Sequence, residues 1–147
     1  MKRTKRIIIN REKGLYVRCH IFDTPETMRL YYKKQDKKAG KPLDDDHDKV
    51  LGVHLAYERY HKPKKKWVLH PESGQVLLSL KDCVSSIVAH EFMHAVLHGA
   101  RHGSKHIQKI TIKNMEEEEV LLHDLTNAMR QFWAFYDKVT KRNKFIT

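Results

Sequence analysis

"QVLLSLKDCVSSIVAHEFMHAVLHGA", residues 75–100, changes character halfway along. Its first part, Gln75–Leu80, is a short Val/Leu run of the kind that forms a strand. Asp82 is placed to cap a helix from about Cys83 to His98, and Gly99 stands where helices commonly end. On that helix His90 and His94 are four residues apart, so both imidazoles leave the same face one turn apart and can bind one ion. Glu91 lies beside them, where a carboxylate can act on a water held by a metal. This is an H-E-x-x-H pattern on a helix that follows a strand, and the alternative reading is a buried helix that is rich in histidine.

A catalytic zinc takes three protein ligands and keeps one position open. His98 continues the spacing, but it lies about 12 Å along the helix axis from His90, too far to share one ion with it. The sixth position after His94 is Ala100, which excludes a third histidine in the metzincin arrangement. The remaining source is a glutamate of the next helix, and "NMEEEEVLLHDLTNAM" begins at Asn114. Leu121, Leu125, Ala128, Phe132 and Tyr136 define the buried stripe of that helix. Glu118 and then Glu117 extend it toward the N-terminus, while Glu116 and Glu119 point away. Glu118 is the expected third ligand, with Glu117 or Glu119 as substitutes. By itself an acidic first turn needs no metal, because the helix dipole favours it.

Around this centre the chain reads as strands and helices in alternation. "RIIIN" and "GLYVRCHIFD" are two strands about a glycine-containing turn. "TPETMRLYYKKQ" is a short helix with Thr24 as N-cap and Pro25 at its first position. Asp36–Asp48 is a polar loop, and its "DDDHD" has no calcium-loop spacing. "KVLGVHLAYERY" alternates Leu51, Val53, Leu55 and Tyr57 on one face, as a half-buried strand does. "WVLH-PESG-QVLLSL" reads as a hairpin. A long helix from about Asn114 to Lys141 closes the chain. The element order implies an α+β fold: a small, twisted, mostly antiparallel sheet against the motif helix, with the ligand-bearing helix C-terminal to it.

At 147 residues and 40% hydrophobic content the chain suits one domain spanning residues 1–147, with a flexible basic N-terminus and a flexible C-terminal tail. No apolar run reaches the roughly 20 residues of a membrane span, so no membrane partner is expected. Cys19 and Cys83 give neither a disulfide framework nor a thiolate zinc site, and a cytoplasmic setting follows as the default. Lys and Arg number 29 against 18 Asp and Glu, a net charge of +11, concentrated in "MKRTKR", "KKQDKKAGK", "HKPKKK" and "KVTKRNK". Such clusters attract polyanions at low salt, so nucleic-acid contact is a secondary expectation, although solvated lysines in loops explain them as well.

With "IVAHEFMHAVLH" and "EEEEVLLHDLTNAM", residues 50–136 resemble a small zincin of the gluzincin type. They are similar to phage- and mobile-element-encoded metallopeptidases such as the ImmA/IrrE-like group. The resemblance implies zinc bound by His90, His94 and a glutamate of the 116–119 run, with Glu91 as general base. It also implies a protein or peptide substrate lying along "QVLLSL" as the sheet edge. Gluzincins often carry an Asp four residues after the ligand Glu; here Asp124 would require a ligand at Val120, so this support is not assigned. An oxyanion-stabilising His or Tyr is also expected, with His98, His102, His123 and Tyr57 as candidates. Two other classes fit: a SprT-like protease acting on DNA-bound proteins, which the basic charge would suit, and a non-catalytic binding or anti-defence module with a structural metal.

Overall fold

Val17, Cys19 and Ile21 of the strand Leu15–Phe22 (β2) are buried, and so are His20 and Phe22 between and beside them. Burial on alternate and intervening positions together marks a strand covered on both faces. The computed structural model describes residues 2–57, 60–61, 68–69, 71–101 and 115–144. Its fold is α+β: a four-stranded mixed sheet in the order β1-β2-β6-β3, where β1 is Lys2–Asn10, β3 Gly52–Ala56 and β6 Glu72–Ser79. β1 and β2 pair antiparallel, β2 and β6 parallel, and β6 and β3 antiparallel. Helix α1 (Pro25–Lys38) covers one face around Phe22, Met28, Val53 and Leu77. Helices α2 (Ser85–Arg101) and α3 (Met115–Lys144) cover the other, where Ile7, Ile9, Val17, Ile21, Val76 and Leu78 meet Val88, Phe92 and Phe132.

Four expectations are corrected here. "QVLLSL" is not an edge: β6 is buried from Ser73 to Ser79 because it lies between β2 and β3, and its unbroken apolar run is what a doubly covered inner strand requires. Nor does it form a hairpin with "WVLH". Val68–Leu69 (β5) pairs instead with Tyr60–His61 (β4) in a separate two-stranded sheet. The basic N-terminus is not a tail, since Lys2–Arg6 pair with Arg18–Phe22 as part of β1, and exposed Lys and Arg on an outer strand deter pairing with other chains. Gly99 does not end α2, which continues to Arg101; a Cβ there would lie 2.2 Å from Ile9 Cδ1, so glycine lets β1 approach the helix. At the other end of the chain α3 extends to Lys144, and residues 145–147 lie outside the described residues.

Thr24 caps α1 as its sequence implies, accepting from Thr27 N–H at 3.2 Å. The helix continues to Lys38, nearly three turns beyond its last buried apolar residue, Met28, because Asp36 is held from the acidic loop. "DDHD", Asp45–Asp48, is a 3₁₀ turn whose His47 is buried and stacked on Tyr32. His47 Nε2 donates to Asp36 Oδ2 at 2.7 Å, and His47 Nδ1 lies 3.0 Å from Asp44 Oδ1 and 3.2 Å from Asp44 N. Neutral Nδ1 can accept from that N–H, and protonated Nδ1 can donate to the carboxylate. The Asp36 hydrogen bond, followed by that of Asp44, raises the His47 pKa above its ordinary value. Its stabilising contribution is therefore full below about pH 6.5, the ordinary histidine value, and fades as pH rises through the folded pKa. His47→Gln should lower stability by about 1.5 kcal/mol at pH 5.5, with the gap to wild type narrowing by pH 9. Urea unfolding at both pH values checks this, and a gap that widens with pH would reverse the assignment.

On the α1 face a second polar group is fully interlocked. Thr4 Oγ1 donates to His20 Nδ1, His20 Nε2 and Tyr31 OH both donate to Gln75 Oε1, and Gln75 Nε2 donates to Tyr57 OH, all within 2.6–2.9 Å. Among the described residues no helix is long and apolar enough to cross a membrane.

Candidate metal centre

A helix places residues four apart on one face, and α2 does this with His90 and His94. Their Nε2 atoms are 3.1 Å apart and their rings meet edge to face at 4.7 Å between centroids. Two imidazoles on one tetrahedral zinc, with bonds of about 2.05 Å, bring their nitrogens to about 3.3 Å. The pair is thus already near the bite of one ion, and both rings are exposed. The same spacing also permits a plain imidazole–imidazole hydrogen bond.

Glu91, one residue on from His90, turns from that exposed face toward the sheet and is buried. Gly52 of β3 makes the room: a Cβ there would lie 3.0 Å from Glu91 Cγ and 3.1 Å from Ile87 Cγ2. Glu91 Oε1 stands 3.9 Å from His90 Nε2. Burial pushes its carboxyl pKa up, partly opposed by His90. A carboxylate made more basic beside a pair of metal-type donors has the character of a general base.

The third position is where sequence and structure part. Glu117, Glu118 and Glu119 are all exposed at the start of α3, and the segment joining α2 to α3 lies outside the described residues. Among the described residues no three His, Cys, Asp or Glu side chains stand close enough to hold one ion, so Glu118 is not brought into a ready-made triad with His90 and His94. The stripe that nominated Glu118 is nevertheless correct, since Ala128 and Phe132 are buried with Leu121, Leu125 and Tyr136 packed alongside.

His54 escaped the sequence reading. Leu51, Val53, Leu55 and Tyr57 alternate as one face of a half-buried strand, but Leu51 is exposed and Val53 joins the α1 core. It is the other face of β3, Gly52 and His54, that meets α2. His54 Nε2 is buried without a hydrogen-bond partner. The ring lies 6.4 Å from His94 and 5.8 Å from His98, centroid to centroid. Burial, with the nearby His98 and His94, pushes its pKa down to about 4, so at neutral pH it is an uncharged donor of a lone pair. The signal that could have found it is the polar residue between two apolar ones on the strand nearest the motif helix.

Of the oxyanion candidates, His98 faces His54 and its Nε2 donates to the Tyr57 carbonyl at 3.1 Å. The Tyr57 hydroxyl is engaged by Gln75 on the opposite face of the sheet, which removes it from the histidines. His123 is exposed, and His102 lies outside the described residues. Asp124 is buried against the β1–β2 turn, where the Arg11 backbone N–H meets it; burial raises its pKa. The chain matches no family model, no curated protein and no solved structure.

Proposed function

We propose that the chain is a zinc-dependent endopeptidase acting on a protein substrate in the cytoplasm. The observation that carries the reading is the convergence of His90 and His94 Nε2 at 3.1 Å with the buried Glu91 carboxylate 3.9 Å from His90. His90 and His94 would hold the ion, with Glu118 of α3 as third ligand, or Glu117 or Glu119 in its place. Bound zinc supplies a water that ionises near neutral pH and a positive centre for the developing oxyanion. Glu91 takes the proton of the attacking water and delivers it to the departing amine. The substrate edge is β3, which among the described residues pairs on one side only and runs beside α2, so an extended peptide can add to its other side next to the histidines.

Metal content of the purified protein tests this directly. About one zinc per chain is expected in wild type, lost in His94→Ala and lowered at least about 10-fold in affinity in Glu118→Ala. A wild type that takes up no zinc when supplied with it would remove the enzymatic reading.

A further inference from the structure

The sheet face that carries α1 is only partly covered. Alternation places Lys2, Thr4, Arg6 and Ile8 of β1 on it, with Tyr16, Arg18, His20 and Phe22 of β2, in the cross-strand pairs Lys2–Phe22, Thr4–His20, Arg6–Arg18 and Ile8–Tyr16. His20 and Phe22 lie beneath α1, where Tyr31 meets both rings. Beyond His20 the cover stops: Arg6 and Arg18 are exposed, Tyr16 is half-buried, and Ile8 keeps 45% of its surface in solvent.

The cations on this face are already positioned. Arg6 Cζ stands 4.9 Å from the centre of the Tyr16 ring, and Lys2 Nζ 4.4 Å from that of Tyr31. Such contacts hold the cationic heads above the sheet without neutralising them. Arg18 Nε lies 2.6 Å from Glu72 Oε1, and Glu72 is the carboxylate that meets these three cations. Arg6 and Arg18 stand directly opposite each other on neighbouring strands, an arrangement that like charges disfavour. Deterring foreign strands explains basic residues on the outer strand β1, but not an arginine opposite Arg6 on the inner strand β2. A polyanion laid over the pair turns that repulsion into attraction for the ligand.

We propose that the face formed by Arg6, Tyr16 and Arg18, with Lys2 at its end, binds single-stranded nucleic acid. The rings favour nucleic acid over an acidic peptide, because a base can stack on Tyr16 or on the guanidinium above it while phosphates meet the cations. The breadth of the sheet favours a single strand over a duplex. Four strands about 4.8 Å apart span about 14 Å between the outermost, more than the roughly 12 Å width of a major groove. Lys2 and Arg6, four residues apart on an extended strand, are about 13 Å apart, so a chain laid along β1 meets them through separate phosphates. Helix α2 packs on the opposite face of the sheet, so neither His90 nor Glu91 takes part and the proposal is independent of the peptidase reading.

The test is fluorescence anisotropy of an end-labelled oligothymidylate of about 15 nucleotides, titrated with the full chain between about 50 and about 200 mM salt. Wild type should bind, with affinity falling as salt rises. Arg6→Gln/Arg18→Gln should weaken binding at least about 10-fold at the lowest salt and flatten the log–log salt slope by about 1.4, the change expected for two phosphate contacts on a single strand. Tyr16→Leu should weaken it at least about 5-fold with the slope unchanged. Lys138→Gln/Lys141→Gln removes the same charge from exposed positions on α3, which covers the other face, and should change affinity less than about 3-fold. Circular dichroism verifies folding, and Arg6→Gln alone, with half the slope change, decides if the double does not fold. A wild type that does not bind at the lowest salt overturns the proposal. So does equal weakening by the α3 pair, which would mean diffuse attraction, or an unchanged affinity in Tyr16→Leu. A duplex bound as tightly as the single strand, or polyglutamate that displaces it at equal charge, would overturn the choice of occupant.

Discussion

Glu91→Gln should lower peptide hydrolysis by about 10²–10⁴-fold while leaving the zinc content unchanged. The amide keeps the size of the side chain and its place behind Gly52, so nothing in the packing of β3 on α2 has to move. What it loses is the ability to take a proton. The same substitution should raise the stability of the metal-free protein at neutral pH. Burial holds the Glu91 pKa above its ordinary value, so folding favours the protonated form and stability falls as pH rises through the folded pKa. An amide has no such titration. The gain should be absent near pH 4 and reach on the order of 1 kcal/mol at pH 8, a rise of about 3 °C in the unfolding midpoint for a chain of this size. Calorimetric melts at the two pH values, with assays of the zinc-loaded protein on an extended peptide, read both effects. Turnover at the native rate would remove Glu91 from the mechanism, and a lower melting point at pH 8 would show that its burial costs nothing.

The second large effect belongs to Gly74. A Cβ there would lie 2.2 Å from the carbonyl oxygen of Leu55. That atom is backbone in the neighbouring strand and cannot swing aside as a flexible side chain does. Gly74 also adjoins an irregularity in the β2–β6 register, where Tyr16 pairs with Glu72 but Val17 with Gly74, leaving Ser73 as the extra residue of a bulge. Gly74→Ala must push β3 from β6 and so displace the strand that carries His54 and Gly52. The expected cost is about 3 kcal/mol, seen as a lower urea midpoint. A midpoint within about 0.5 kcal/mol of wild type would mean that the strands separate without loss.

Local signals in the sequence were strong where the structure depends on neighbours along the chain. Thr24 and Pro25 opened α1 as they must, the H-E-x-x-H spacing fell on a helix, and the stripe from Leu121 to Tyr136 is the packed side of α3. What was hidden depends on partners far away in sequence. Alternation along β3 identified a strand but not which side of it would meet α2, because the sheet has helices on both faces and each face has apolar residues. The continuous run of β6 likewise permits an edge or an inner strand until β2 is known to pair with it. Gly99 looked like a helix terminator because nothing in the local sequence announces Ile9. Asp36 and His47 fall within a segment whose sequence reads only as a polar loop, since mutual burial of a carboxylate and an imidazole leaves no periodic trace. The third ligand stayed open for the same reason: helical phase puts Glu118 on a side of α3, whereas convergence on His90 and His94 depends on how that helix is delivered.

The parallel pairing of β2 with β6 also has a kinetic consequence. His20 and Gln75, hydrogen-bonded across it, are 55 positions apart, whereas β1 and β2 are joined by a short turn. Closing the distant pair costs chain entropy before any contact rewards it, so the β1–β2 hairpin can form early and the sheet must wait for its inner strand. As the chain emerges N-terminus first, that hairpin has to remain without its neighbour until residues 72–79 arrive. The histidines of α2 follow immediately behind. The proposed metal site is therefore assembled late in folding, only after the longest loop in the sheet has closed.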